Sequence, residues 1–192
     1  MISLKGQFLA AMPDMGDERF QDSVIYLVGH GDEGAMGLVV NRVIEDMRFV
    51  DVLEELGISG SDEAIQMPER VRDQKVLRGG PVQRGRGFVL HSRDYYREGN
   101  SYLVSDEVCL TATLEILKSM AFDMGPADAM FALGYCGWAP GQLENEIALN
   151  GWLTVPFSRE LLFGTPPEER YNSALGQLGI TRASLSGLAG HA

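Results

Sequence analysis

Cys136 stands in the stretch Gly134-Tyr135-Cys136-Gly137-Trp138, read as a tight turn where a thiolate could be exposed and where His30 or His91 could approach it through the fold. A nucleophilic cysteine needs a neighbouring cation or helix N-terminus to lower its pKa. No basic residue adjoins Cys136, so a small buried thiol is the expected role. Gly29-x-Gly31-x-x-Gly34 has the literal spacing of a dinucleotide-binding turn. That chemistry needs a helix directly after the turn, with its N-terminus facing the pyrophosphate. Here the strand-like Gly37-Leu38-Val39-Val40-Asn41 follows, and Asp32 and Glu33 inside the turn would repel phosphate, so a hairpin connection is expected instead.

Glu144 and Glu146 could form an acid/base pair near the start of a helix after Gly141. Residues two apart on a helix point in different directions, which favours a role in stabilising the helix N-terminus for at least one of them. The histidines, His30, His91 and His191, are isolated and form no H-E-x-x-H or Cys/His ligand pattern, so no metal and no cofactor is expected. No G-x-S-x-G elbow for a serine hydrolase is present. The strongest binding candidate is Arg78-Gly79-Gly80-Pro81-Val82-Gln83-Arg84-Gly85-Arg86-Gly87, whose glycines would let backbone N–H groups approach an anion while guanidinium forks surround it. Against it stands a plainer role, in which these arginines pair with the chain's own carboxylates or lie solvated.

The elements that must position these residues read as strands over Gly6 to Ala11, Ser23 to Val28 and Gly37 to Asn41, with the Gly29–Gly34 turn joining the last two as an antiparallel hairpin. Phe49, Val52, Leu53 and Leu56 have the spacing of a buried helix face, with Asp46 as a start signal and Gly57 as a stop. From Ser59 to Glu69 a polar, patternless segment reads as a mobile surface loop. Val76 to Arg78, Gly87 to His91 and Ser101 to Val104 read as short strands. A helix is expected from about Asp106 to Phe122, capped by Ser105 and burying Leu110, Leu114, Leu117 and Ala121. Ala129 to Leu133 reads as a core strand, Gln142 to Leu149 as a helix and Trp152 to Val155 as extended. Thr165-Pro166-Pro167-Glu168 has a capping-box signature with proline at the first helical position, ahead of Tyr171, Ala174, Leu175, Leu178 and Gly179. Strands that are not each followed by a helix argue for an α+β arrangement rather than a doubly wound sheet.

The chain has 192 residues, with 45% hydrophobic and 22% charged side chains, the balance of a globular protein able to bury one core, and residues 1–192 are expected to form a single domain. The apolar run from Phe8 to Met12 ends at Pro13 and Asp14, too short for a span and unlike a signal peptide. With two cysteines and no disulfide spacing, a reducing cytoplasm is the expected compartment, and no membrane partner is expected. The net charge of −11 repels phosphate backbones, so no direct nucleic-acid binding is expected. The charge is unevenly distributed: Arg70, Arg72, Lys75, Arg78, Arg84, Arg86, Arg93 and Arg97 face only Asp73 and Asp94 within one segment.

Taken together, these blocks resemble the AlgH/YqgE family of bacterial proteins, whose biochemical role is largely uncharacterised. The resemblance covers nearly the whole chain. It rests on the segments Gly6 to Pro13, Ser23 to Leu27, Gly34 to Arg42, Gly79 to Val82, Arg86 to His91, Gly134 to Trp138, Gly141 to Glu144, Trp152-Leu153 and Gly190 to Ala192. It implies a compact α+β fold with a bifurcated, partly barrel-like sheet surrounded by helices, and no established catalytic residue. Family members often carry alanine where Cys136 stands, which argues further against a nucleophile. The family's name is tied to regulation of alginate genes, yet no helix-turn-helix pattern is present and the acidity opposes DNA contact, so any regulatory effect is expected to be indirect.

The leading expectation is therefore a non-enzymatic regulatory or protein-interaction domain that docks an unknown acidic partner through Arg84 and Arg86. The alternative is a small-ligand-binding protein or enzyme with its site where the Gly79-Gly80-Pro81 loop meets the Trp138/Gln142 turn. There Trp138 would stack while Gln142 and Glu144 orient a polar ligand.

Overall fold

The computed structural model describes residues 2–13, 15–58 and 67–188, so the expected mobile loop lies almost wholly outside the described residues, as do Asp14, His191 and the terminal Gly190-His191-Ala192 block. The strands in chain order are β1 (Phe8–Ala11), β2 (Val24–Gly31), β3 (Gly34–Val39), β4 (Val43–Arg48) and β5 (Lys75–Arg78). They continue with β6 (Val82–Ser92), β7 (Ser101–Leu103), β8 (Val108–Thr111), β9 (Ala129–Trp138) and β10 (Trp152–Val155). Helices and mainly antiparallel strands mixed along the chain make the class α+β, as the sequence predicts.

The chain divides into two compact units. The first comprises Met1–Arg42, Gly79–Val82 and Tyr135–Ala192. In it β1 lies antiparallel between β10 and β2, with Phe8 opposite Val155 on one side and Tyr26 on the other. β2 pairs with β3, and β3 with the C-terminal residues of β9, where Gly37 faces Cys136 and Ala35 faces Trp138. Phe8 to Ala11 and Val24 to Leu27 are wholly inaccessible to solvent, which is why these strands read as unbroken apolar runs rather than alternating ones. The hairpin between β2 and β3 is tighter than expected: strand pairing runs through to Gly31 and Gly34, leaving Asp32 and Glu33 as the turn. No helix follows Gly34, which removes the dinucleotide reading on geometry.

Two close approaches shape this unit. Gly34 has φ +115°, and a Cβ there would lie 2.2 Å from the Trp138 carbonyl oxygen. A Cβ on Gly80 would lie 2.1 Å from the Tyr135 carbonyl carbon. The helix Arg170–Gln177 buries Tyr171, Ala174 and Leu175, and the Tyr171 hydroxyl donates to the Ala11 carbonyl at 2.7 Å, tying the helix to β1. The expected capping box does not form. Thr165 donates its hydroxyl to the Glu160 carbonyl and closes the wide turn Glu160–Gly164, while Pro167 opens a 3-10 turn that leads into the helix at Arg170. Arg170 is buried, and it donates Nε to the Leu161 carbonyl at 3.2 Å and Nη1 to that of Val40. Burial pulls its guanidinium down to about 10.

The second unit comprises Val43–Arg78 and Gln83–Gly134. β4 and β5 are antiparallel, β5 runs parallel to the N-terminal residues of β9, and β8 lies between β6 and β7. Several expectations fail for local reasons. Asp46 lies in β4, and the helix Phe49–Glu55 instead starts where Asp51 accepts the Arg48 N–H at 2.7 Å. Leu56, expected in its buried face, is exposed.

The helix expected over Asp106 to Phe122 splits into strand β8 and the helix Leu114–Ala121. Ser105 does cap backbone N–H groups, those of Glu107 and Val108, but the turn it closes leads into a strand. Leu114, expected in the buried face, is exposed, and the stripe is Ile116, Leu117, Met120 and Ala121. The turn expected at Gly134–Trp138 is instead the continuation of β9.

Candidate functional site

The helix Gln142–Ala148 starts after Gly141, whose φ of +75° turns the chain sharply away from the end of β9. Gln142 and Glu146 are four apart and share one face of this helix. The Gln142 amide oxygen accepts the Ala139 N–H at 3.0 Å, and its Nε2 donates to Glu146 Oε1 at 2.8 Å. Glu146 Oε2 accepts two indole N–H groups, from Trp138 Nε1 at 2.9 Å and Trp152 Nε1 at 2.8 Å. One carboxylate thus joins the end of β9 to the start of β10. The two indoles meet edge to face with centroids 6.1 Å apart, and Phe20 meets Trp152 in the same manner at 5.7 Å.

These groups line a cavity of about 920 Å3 in the first unit, which also takes in Met12, Met15, Pro81 and Leu185. Its mouth includes Leu149, 81% exposed. Arg19 is the one cation among the described lining residues. It is engaged by Asp17, whose carboxylate accepts Nη2 at 2.6 Å and Nε at 2.9 Å, and this side-chain bond holds Asp17 below the usual carboxylate range.

Of the residues the sequence offers as a binding site, Pro81, Trp138 and Gln142 line this cavity together. Glu144 does not belong to it. Two positions from Glu146, it points elsewhere and accepts from His30 Nε2 at 2.9 Å, while His30 Nδ1 accepts the Leu4 N–H at 2.9 Å and so fixes the ring's proton on Nε2. The Glu144 carboxyl is held low, first by its own backbone N–H and then by His30. The two glutamates therefore serve different partners and are no acid/base pair.

Gly79 and Gly80 are packed rather than open. The Gly79 carbonyl accepts the Val39 N–H at 2.8 Å and the Cys136 thiol at 3.6 Å, and Gly80 lies against the backbone of β9. Arg84 and Arg86 fall in the second unit, both exposed on β6. Arg86 lies 5.2 Å from the Phe88 ring centroid and donates to Gln83 at 3.3 Å. Elsewhere in the basic segment Arg70 pairs with Asp123 and Arg72 with Asp73. Arg86 also borders a groove of about 580 Å3 lined by Met47, Leu56, Leu114, Leu117 and Phe131.

The nucleophile candidates are chemically quiet. Burial pushes the Cys136 thiol up to about 12 and raises that of Cys109 as well. His91 is fully buried, with Nδ1 bonded to the Ser92 carbonyl at 2.9 Å and Nε2 to Thr111 Oγ1 at 2.8 Å, and burial lowers its pKa. Among the described residues no group of three His, Cys, Asp or Glu side chains could hold a metal ion, and no helix is long and apolar enough to cross a membrane.

Sequence reasoning overlooked the part of Glu146 as the hub of the site. The signal was present in the four-residue spacing from Gln142, which places Glu146 rather than Glu144 beside Gln142, between tryptophans on either side of the helix. Phe20, Met12 and Met15 carried no such signal, because a loop brings them in.

The AlgH-like family model matches residues 8–183. A UPF0301 protein of Bradyrhizobium diazoefficiens is 52% identical over 98% of this chain and 88% of its own length, and one of Mesorhizobium japonicum is 54% identical over 98% and 93%. The solution structure of AlgH from Pseudomonas aeruginosa, 39% identical, covers 99% of this chain and 96% of its own with a TM-score of 0.78. A protein from Corynebacterium diphtheriae shares the fold at 18% identity, with a TM-score of 0.74 over 97% of this chain and 92% of its own. A family model spanning residues 8–183 and relatives more than half identical along nearly all of the sequence place this chain in the AlgH-like family.

Proposed function

We propose that this protein is a non-enzymatic binding protein whose first unit takes a small ligand in the cavity beside Trp138, Trp152 and Gln142. The observation that carries this reading is a cavity of about 920 Å3, within the size range of small-molecule sites, with aromatic walls and a few polar groups held in place by one another. The fixed Gln142–Glu146–indole network is the rigid support such a site needs. Its buried thiol, pushed up to about 12, supplies no activated nucleophile.

Thermal-shift screening against amines, nucleotides, sugars and acyl compounds tests the reading. At least one class should give saturable stabilisation. Leu149→Trp, which fills the mouth at an exposed position, should abolish that response while leaving the unliganded melting temperature close to wild type. A flat screen, or a hit that Leu149→Trp leaves untouched, counts against it.

A second reading, a protein-interaction role for the second unit, is favoured by Arg86 standing beside a groove edged by the exposed Leu56 and Leu114. An acidic partner docked there would be released by salt and lost on exchanging Arg84 and Arg86 for glutamate. Unchanged capture would reject this role.

A further inference from the structure

Glu146 is the group in the cavity whose charge is not balanced. Its Oε2 is filled by two indole N–H groups and its Oε1 takes one Gln142 N–H. All three donors are neutral. A carboxylate offers about four acceptor directions, so one on Oε1 stays open. The nearest candidate counter-charge in the lining is Arg19, and its guanidinium is gripped by Asp17 at 2.6 to 3.1 Å. The described lining thus carries Asp17 and Glu146 against Arg19 alone, a net charge of minus one inside walls built from two indoles, a phenyl ring and methionines.

Glu146 is half-buried, so a cation that reaches it beside these apolar groups is screened less than one at an open surface carboxylate. Aromatic faces add to the attraction of a cation and provide apolar contact for the rest of such a molecule. An anionic ligand would meet the opposite field.

From this geometry we infer that the cavity selects an organic ammonium ion: an apolar or aromatic body against Trp138, Trp152 and Phe20, with an N–H donated to the open side of Glu146 Oε1. The inference rests on the ligand-binding reading and adds the charge class of the ligand. The Asp17–Arg19 pair would serve as the polar rim.

The chain's two tryptophans, Trp138 and Trp152, both bond Glu146, so intrinsic tryptophan fluorescence reports on this site directly. The wild-type protein is titrated with three probes of matched shape, 2-phenylethylammonium, 2-phenylethanol and phenylacetate. The ammonium should saturate at least about tenfold tighter than the alcohol, the factor expected for one charge-assisted hydrogen bond, and phenylacetate should bind more weakly still.

Leu149→Arg and Leu149→Glu change the mouth's charge at an exposed position and should move the ammonium affinity in opposite directions, weaker for arginine and tighter for glutamate. Equal binding of ammonium and alcohol, or preference for phenylacetate, overturns the charge class while leaving a ligand site intact. Silence towards all three, with a neutral or anionic thermal-shift hit that is lost in Leu149→Trp, also overturns the charge class alone. Silence in both assays overturns the ligand-binding reading as well.

Discussion

At the scale of single residues, the cavity shows how environment decides what a side chain does. Cys136 lies in the wall of the cavity, yet burial pushes its thiol up to about 12, so the reactive thiolate is scarce at neutral pH. Alkylation of the native protein by iodoacetamide at pH 7.5 should therefore leave Cys136 unmodified over hours and label it within minutes after denaturation. Labelling at equal rates in both states would contradict its burial. Cys136→Ala should cost less than about 1.5 kcal/mol in denaturant titration, because it removes a single sulfur atom whose bond to the Gly79 carbonyl is long, at 3.6 Å.

His91 gives a pH signature. Burial holds its folded-state pKa below the unfolded value near 6.5, so the unfolded chain binds the proton first as pH falls. The stability it contributes is present above about pH 6.5 and is lost as pH falls towards the folded-state pKa. Urea unfolding should show wild type losing stability between pH 7 and pH 5, and His91→Gln losing less over the same interval. Parallel slopes for the two proteins would remove His91 as the cause.

At the scale of elements, glycines fix the close approaches and helices fix the polar network. Gly80→Ala would place a methyl about 2 Å from the backbone of β9, where no side-chain rotation relieves the overlap. It should destabilise by about 3 kcal/mol or more, at the upper end of overpacking costs, read as a lowered denaturation midpoint. The element scale is also where the sequence was read with mixed success. Strands β1, β2, β5, β7 and β10 and the helices at Phe49, Gln142 and Arg170 were legible, because each is a run of matching period bounded by a clear stop.

β8 was not. Leu110, Leu114, Leu117 and Ala121 fall at helical spacing by coincidence, and the β-favouring run Val108 to Thr111 was outvoted by the stripe that follows it. β4 was missed because its burial is only partial and half of its residues are charged. The end of β9 was misread because Gly134 and Gly137 suggest a turn, where here they sit inside a strand. Half of the site was legible, in Trp138, Gln142 and Pro81. The remainder depended on which face of the helix Gln142–Ala148 points into the cavity and on a loop packed against it, which depend on tertiary contacts no local pattern encodes.

At the scale of the whole molecule, the net charge of −11 sets what can approach. Mobility-shift assays with duplex DNA at 150 mM salt should show no retardation, and retardation there would reopen the nucleic-acid role that the charge argues against. The same excess negative charge favours cationic ligands at long range and adds to the local preference of Glu146.

The cavity beside Trp138 and Trp152 is the proposed binding site on which the functional reading rests. The most direct measurement is a 15N-correlation NMR titration, in which the two indole Nε1–H resonances report on the two bonds to Glu146. On adding a ligand from the thermal-shift screen, both indole peaks should move in a saturable manner together with the amides of Gln142 and Asn150. Shifts confined to the groove beside Arg86, with both indole peaks unmoved at saturation, would show that the cavity is not the binding site.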